Sequence, residues 1–230
     1  MFDSLKAERL LATIDANHGN EKGRSAAETL TELGNRAVPT LLKCVAIGEQ
    51  KGKHDVATQR EAAAILSRIG GDQVIDGLID LLNTCQRYDL GAEDTFTLGR
   101  EADIRRKNNT TWALAAIDGA QRAVEPLRLL LKDRSNTVRA GAMRALARTR
   151  DPQAIEILGS ILAKETDTVY FRPGEDFRQG EDFPSALKAL EQVGVAAIDA
   201  MTRAIEKCWP YKQKEIVAVI EKMRGAKSPE

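Results

Sequence analysis

Chemistry in this 230-residue chain would have to come from few side chains: two histidines, three cysteines and one run of basic and amide residues. His18 and His54 stand in loop-like surroundings, beside Gly19 and Asp55. Neither is followed by a glutamate, so a paired His-Glu metal signature is missing, and both read as solvated residues. Cys44, Cys85 and Cys208 are far apart and odd in number, without zinc-ligand spacing, and are expected to be reduced, partly buried thiols. "GNEKGRS", residues 19–25, superficially resembles a phosphate loop. It is one residue short, has arginine in place of lysine, and follows a helical pattern instead of a strand. No nucleophile elbow occurs. The sequence therefore assigns no catalytic residue, no metal ligand and no cofactor.

One polar run remains, "RRKNNTTW" at residues 105–112. Arg105, Arg106, Lys107 and Asn108 beside Trp112 make a candidate anion-binding group, able to take a phosphate or a flipped base. The competing reading places these residues in a solvated first helical turn paired with Glu101 and Asp103, with Trp112 in the core. Overall charge argues against a nucleic-acid or anionic-membrane partner. Lys plus Arg and Asp plus Glu both number 34, and no excess positive charge exists to drive such binding.

Two stretches have a different chemistry. Residues 84–104 and 164–184 hold six of the chain's ten aromatic residues: Tyr88, Phe96, Tyr170, Phe171, Phe177 and Phe183. Both are acidic, and the second repeats Gly-Glu-Asp-Phe, bringing Glu175, Asp176, Glu181 and Asp182 close together. Aromatic anchors ringed by charge suit a protein interface, here for a partner with a basic surface. The carboxylates lack the alternating oxygen spacing and glycine turn of a calcium loop. The competing reading folds the phenylalanines back over the protein's own edge.

The elements that carry these residues repeat. One column reads Leu30, Leu66, Leu114, Leu146 and Leu190, preceded by the small-residue column Ala26, Ala62, Thr110, Ala142 and Ala186. A second apolar set follows each leucine after a short turn: Val38 and Leu41, Ile75 and Leu78, Val124 and Leu127, Ile155 and Leu158, Ile198 and Met201. Apolar residues three or four apart predict helices. Gly34, Gly70, Gly119, Asp151-Pro152 and Gly194 mark the turns between paired helices. Neither helix of a pair can hide its apolar stripe, but stacked hairpins can. Terminal helices over 2–17, with Phe2, Leu5, Leu10, Leu11 and Ile14, and over 210–224, with Ile216, Ile220 and Met223, are expected to cap the stack. No run is apolar enough to cross a membrane. "MFDSLKAERL" lacks the basic and apolar regions of a secretory signal, so a cytoplasmic location is expected.

These repeats resemble the HEAT-repeat family in its short form, similar to the HEAT-like repeats of phycobilisome lyases. "NTVRAGAMRALARTRDPQAIEILGSIL" carries the likeness best; Asn108, Asn109, Thr110 and Thr111 depart from it in the third repeat. The resemblance implies an all-α, right-handed solenoid of about five hairpins forming a single domain over 1–230. It also implies a binding scaffold whose partner is another protein. A bilin lyase-like enzyme or lyase subunit is the alternative, and a DNA glycosylase-like nucleic-acid binder through 105–112 the second. In such a stack both large insertions follow a second helix and leave by the same edge. They are two repeats apart, about 20 Å at about 10 Å per packed layer.

Overall fold

A computed structural model of the chain describes residues 2–46, 55–84, 98–133, 135–163 and 182–225. The described residues form twelve α-helices and no strand. They divide into two compact units, Met1–Pro126 and Leu127–Glu230. The first unit holds α1 (Phe2–Ala16), α2 (Glu21–Leu33), α3 (Val38–Ala46), α4 (Val56–Ile69), α5 (Gly71–Thr84) and α6 (Leu98–Ala115). The division falls within α7 (Val124–Leu130). The second unit holds α8 (Asn136–Thr149), α9 (Pro152–Leu162), α10 (Asp182–Val193), α11 (Ile198–Ile205) and α12 (Pro210–Gly225). Twelve is the number of helices that two terminal helices and five successive pairs along the chain would give, and the described residues are all-α as the apolar periodicity predicts.

Each hairpin is punctuated by local chemistry. Asn20 begins α2 by accepting a hydrogen bond from the Gly23 amide at 3.1 Å. Asp55 caps α4 through the Thr58 amide at 2.7 Å. Asp151 caps α9, with Pro152 in the first turn, by accepting from the Gln153 amide at 2.8 Å. Gly34 and Gly70 end α2 and α4 at positive φ. The fourth repeat has no glycine at this point, so Arg150 takes the left-handed conformation at φ 52°, at a cost of roughly 1–2 kcal/mol.

Packing follows the repeat. In the first unit α2 lies against α4, α4 against α6, and α3 against α5. In the second α8 lies against α10 and α9 against α11. First helices thus stack on first helices and second helices on second. All five column leucines are fully buried. The small column before them is buried too, which lets the first helices approach closely. Leu11 and Ile14 seat α1, and Ile216, Ile220 and Met223 seat α12. Leu5, expected on the inner face of α1, is exposed. Among the described residues no helix is long and apolar enough to cross a membrane.

Two boundaries differ from the sequence expectation. α6 begins at Leu98, so residues 105–112 lie in the body of a helix and not in its first turn. α10 begins at Asp182, so the end of the second acidic stretch is helical, with Pro184 in the first turn where it displaces no intrahelical bond. Insertions read from leucine spacing alone were long by those few residues.

Candidate functional site

A polar clasp joins the end of α1 to the start of α4, which pack together in the first unit. Asp15 lies in the last turn of α1, His18 just beyond it, and Asp55 caps α4. Thr58, fully buried in the first turn of α4, donates its hydroxyl proton to Asp15 Oδ1 at 2.7 Å. The Asp55 amide donates to the same oxygen at 3.2 Å. His18 Nε2 lies 3.0 Å from Asp55 Oδ1 and 3.0 Å from Thr58 Oγ1. A carboxylate only accepts and the Thr58 proton is already directed at Asp15, so Nε2 must carry the proton in this arrangement. His18 is therefore a bonded member of a network and not the solvated loop residue that its sequence context suggested. The ligand atoms of Asp15, His18 and Asp55 all lie within 4.8 Å of one another.

Charge in the clasp is felt by its neighbours. The Thr58 amide, foremost, and then the Thr58 side chain and His18 hold the Asp55 carboxyl below the usual carboxylate range, outweighing its slight burial. Cys44 on α3 is pushed up to about 12, first by burial and then by the charges of Asp15 and Asp55. A raised thiol value in the folded state contributes stability below the unfolded value of about 8.5. That contribution is lost as pH rises from there towards about 12. Iodoacetamide at about pH 8 should therefore leave Cys44 unmodified in the native chain and label it after denaturation, read by peptide mass spectrometry. Rapid native labelling would show instead that the thiol reaches solvent as an anion.

In the basic and amide run of α6 one cation is turned inward and the others are half-buried. Lys107 is fully buried, its ammonium 2.7 Å from Asp103 Oδ2, a buried carboxylate one turn earlier. That contact has bonding distance but not hydrogen-bond angles, since neither Asp103 oxygen has a hydrogen-bond partner among the described residues. Arg105 faces Glu101 at 3.7 Å. Thr110 and Thr111, fully buried, return their hydroxyls to the carbonyls of Arg106 and Asn108. Trp112 is about half exposed, at 47%, and does not enter the core as the competing sequence reading had it. Of the candidate anion ligands Arg105, Arg106, Lys107 and Asn108, the lysine is thus turned inward and committed to a carboxylate.

The acidic, aromatic candidates separate in the same way. Tyr88, Phe96, Tyr170, Phe171, Glu175, Asp176, Phe177 and Glu181 lie outside the described residues. Asp182 and Phe183 are described, and both serve the interior. Asp182 accepts from Arg139 Nε on α8 at 2.8 and 3.0 Å. Phe183 is 5% exposed, with the Lys212 ammonium 5.1 Å from its ring centroid. Phe183 is thus turned inward, and Asp182 is engaged with α8 while part of its side chain stays in water.

A signal in the repeat would have found this. Seven residues before each column leucine stand Gly23, Gln59, Lys107, Arg139 and Phe183, and all five are buried. Two helical turns separate such positions, so they share the leucine's face whatever their chemistry. Sequence reasoning also missed Trp209 and Tyr211, which flank the Pro210 that starts α12 and are 51% and 53% exposed. Ile216, Ile220 and Met223 define the inner face of that helix and leave both aromatics off it.

The family described as HEAT repeats matches residues 98–170, and the one described as PBS lyase HEAT-like repeat matches residues 58–84. No curated protein matches the chain. Among solved structures, the chain is similar to the complex of CpcE and CpcF of phycocyanin lyase from Nostoc sp., at 21% identity, over 94% of this chain and 82% of that one, with a TM-score of 0.41. It is similar to an engineered protein at 22% identity over 95% and 96%, with a TM-score of 0.39. It is also similar to a designed armadillo repeat protein at 17% identity over 94% and 99%, with a TM-score of 0.37.

Proposed function

We propose that this chain, which matches HEAT-type repeats over residues 58–84 and 98–170, is a non-enzymatic, cytoplasmic scaffold that binds another protein. Stacked helical hairpins of this kind supply extended surfaces. The observation that carries the reading is the pair Trp209 and Tyr211, two large aromatic side chains half exposed at the start of α12. Tryptophan and tyrosine are the residues most enriched among those that dominate binding energy at interfaces. The acidic, aromatic stretches 84–97 and 164–181 support a partner with a basic surface, whose approach their charge would speed.

The test is affinity capture from the native host with the intact chain, a Trp209→Ala/Tyr211→Ala variant, and a variant with residues 172–180 shortened to a brief turn. We expect one reproducible partner, lost from the first variant and weakened in the second, while thermal midpoints stay within a few degrees of the parent. Capture of the same partner by all three proteins would reject the aromatic pair and the acidic stretch together. The match of residues 58–84 to the PBS lyase HEAT-like repeat favours, as a second reading, a bilin lyase subunit. A bilin whose absorbance shifts on mixing with the chain would move the assignment there.

A further inference from the structure

We propose that Asp15, His18 and Asp55 form a binding site for a divalent transition-metal cation of the zinc type. Three potential ligand atoms, one imidazole nitrogen and two carboxylate oxygens, converge within 4.8 Å of one another. That donor set suits zinc, which accepts imidazole and carboxylate at about 2.0–2.2 Å and keeps its fourth position for water in three-ligand sites. The measured separations agree with such a geometry after small side-chain adjustment. His18 Nε2 stands 3.0 Å from Asp55 Oδ1 and 3.9 Å from Asp15 Oδ1. The ligands stand on separate supports: the last turn of α1, the turn that follows it, and the cap of α4.

The surroundings prepare the site. Asp15 is oriented by the Thr58 hydroxyl and the Asp55 amide, and Asp55 by the Thr58 amide. Such outer-shell donors fix the rotamers of coordinating carboxylates. His18 is partly exposed, with about a third of its side-chain surface open to water, so a cation has a path to it. Binding exchanges one tautomer for the other: the ring proton moves from Nε2 to Nδ1, and the freed Nε2 lone pair takes the cation. The consequence is mechanical as well as chemical. A bound ion would tie the terminal helix α1 directly to the second hairpin, across 37 residues of chain.

The experiment is calorimetric titration of the full chain with zinc ion, paired with thermal unfolding. We expect one ion per chain and a rise in the unfolding midpoint at saturation. His18→Gln and Asp55→Asn should each weaken binding at least about tenfold, the smallest loss seen even for outer-shell changes at metal sites. Asparagine caps a helix as well as aspartate, so Asp55→Asn should fold with a metal-free midpoint only slightly lowered, and a midpoint rise on adding zinc that the parent shows and the variant lacks separates loss of the ion from loss of fold. If the parent chain takes up no zinc, or if both variants bind it as tightly as the parent, the assignment is wrong.

Discussion

Lys107→Met should destabilise the chain by about 3–5 kcal/mol, the range for breaking a buried ion pair by removing one partner. Both side chains are almost wholly out of water, at 1% exposure for Lys107 and 6% for Asp103. They lie one turn apart on the same face of α6, so the lysine is held where its carboxylate is. Methionine matches the length of the lysine stem and preserves the packing, which confines the loss to charge. Asp103 is left as an uncompensated carboxylate whose oxygens have no hydrogen bond among the described residues to fall back on. The pair itself is a different matter. Replacing both members with apolar residues of similar volume often costs nothing, so Asp103→Leu/Lys107→Met should recover most of the lost stability. Equilibrium urea unfolding followed by circular dichroism reads both effects. A loss below about 1 kcal/mol for the single variant would mean that water reaches the pair.

Leu146→Ala is expected to cost about 2–5 kcal/mol, as the transfer and cavity terms add. Leu146 is fully buried on α8, which packs against α9 and α10 in the second unit. Ala142 and Ala145 on the same helix are also buried, so α8 meets its neighbours closely and has little freedom to collapse into the space left behind. The same change at Leu30, Leu66, Leu114 or Leu190 should fall in the same range, because all five are equally buried. A change in unfolding free energy below about 1 kcal/mol at Leu146 would remove this column from the core.

The proposed metal site and the proposed aromatic surface differ in how they would appear in these experiments. His18 lies in the first unit and Trp209 and Tyr211 in the second, and the two proposals are read by different measurements, zinc titration for one and partner capture for the other. Each proposal therefore fails or stands by its own measurement.

The all-α class, the five hairpins, their turns and the identity of the core columns were determined by the sequence alone. The reason is local. A residue three or four places from a leucine shares its face, and glycine or an Asx cap ends or starts a helix with information held in a few neighbouring residues. Even Lys107, Arg139 and Phe183 were within reach, because their spacing from Leu114, Leu146 and Leu190 outweighs the expectation that charge or a loop-like context keeps a side chain outside. Tertiary structure decided what those inward groups meet. Asp182 answers Arg139 across 43 residues only because α10 lies on α8, whereas Asp103 stands one turn from Lys107 on the same helix and was within reach of the sequence. The clasp of Asp15, His18, Asp55 and Thr58 is the clearest case. Its two halves are separated by a complete hairpin, and nothing in their spacing shows that α1 packs on α4 past it. Helical periodicity fixes which way a side chain faces on its own helix; which helix stands opposite is set by how the apolar stripes stack, and that is a property of the folded chain.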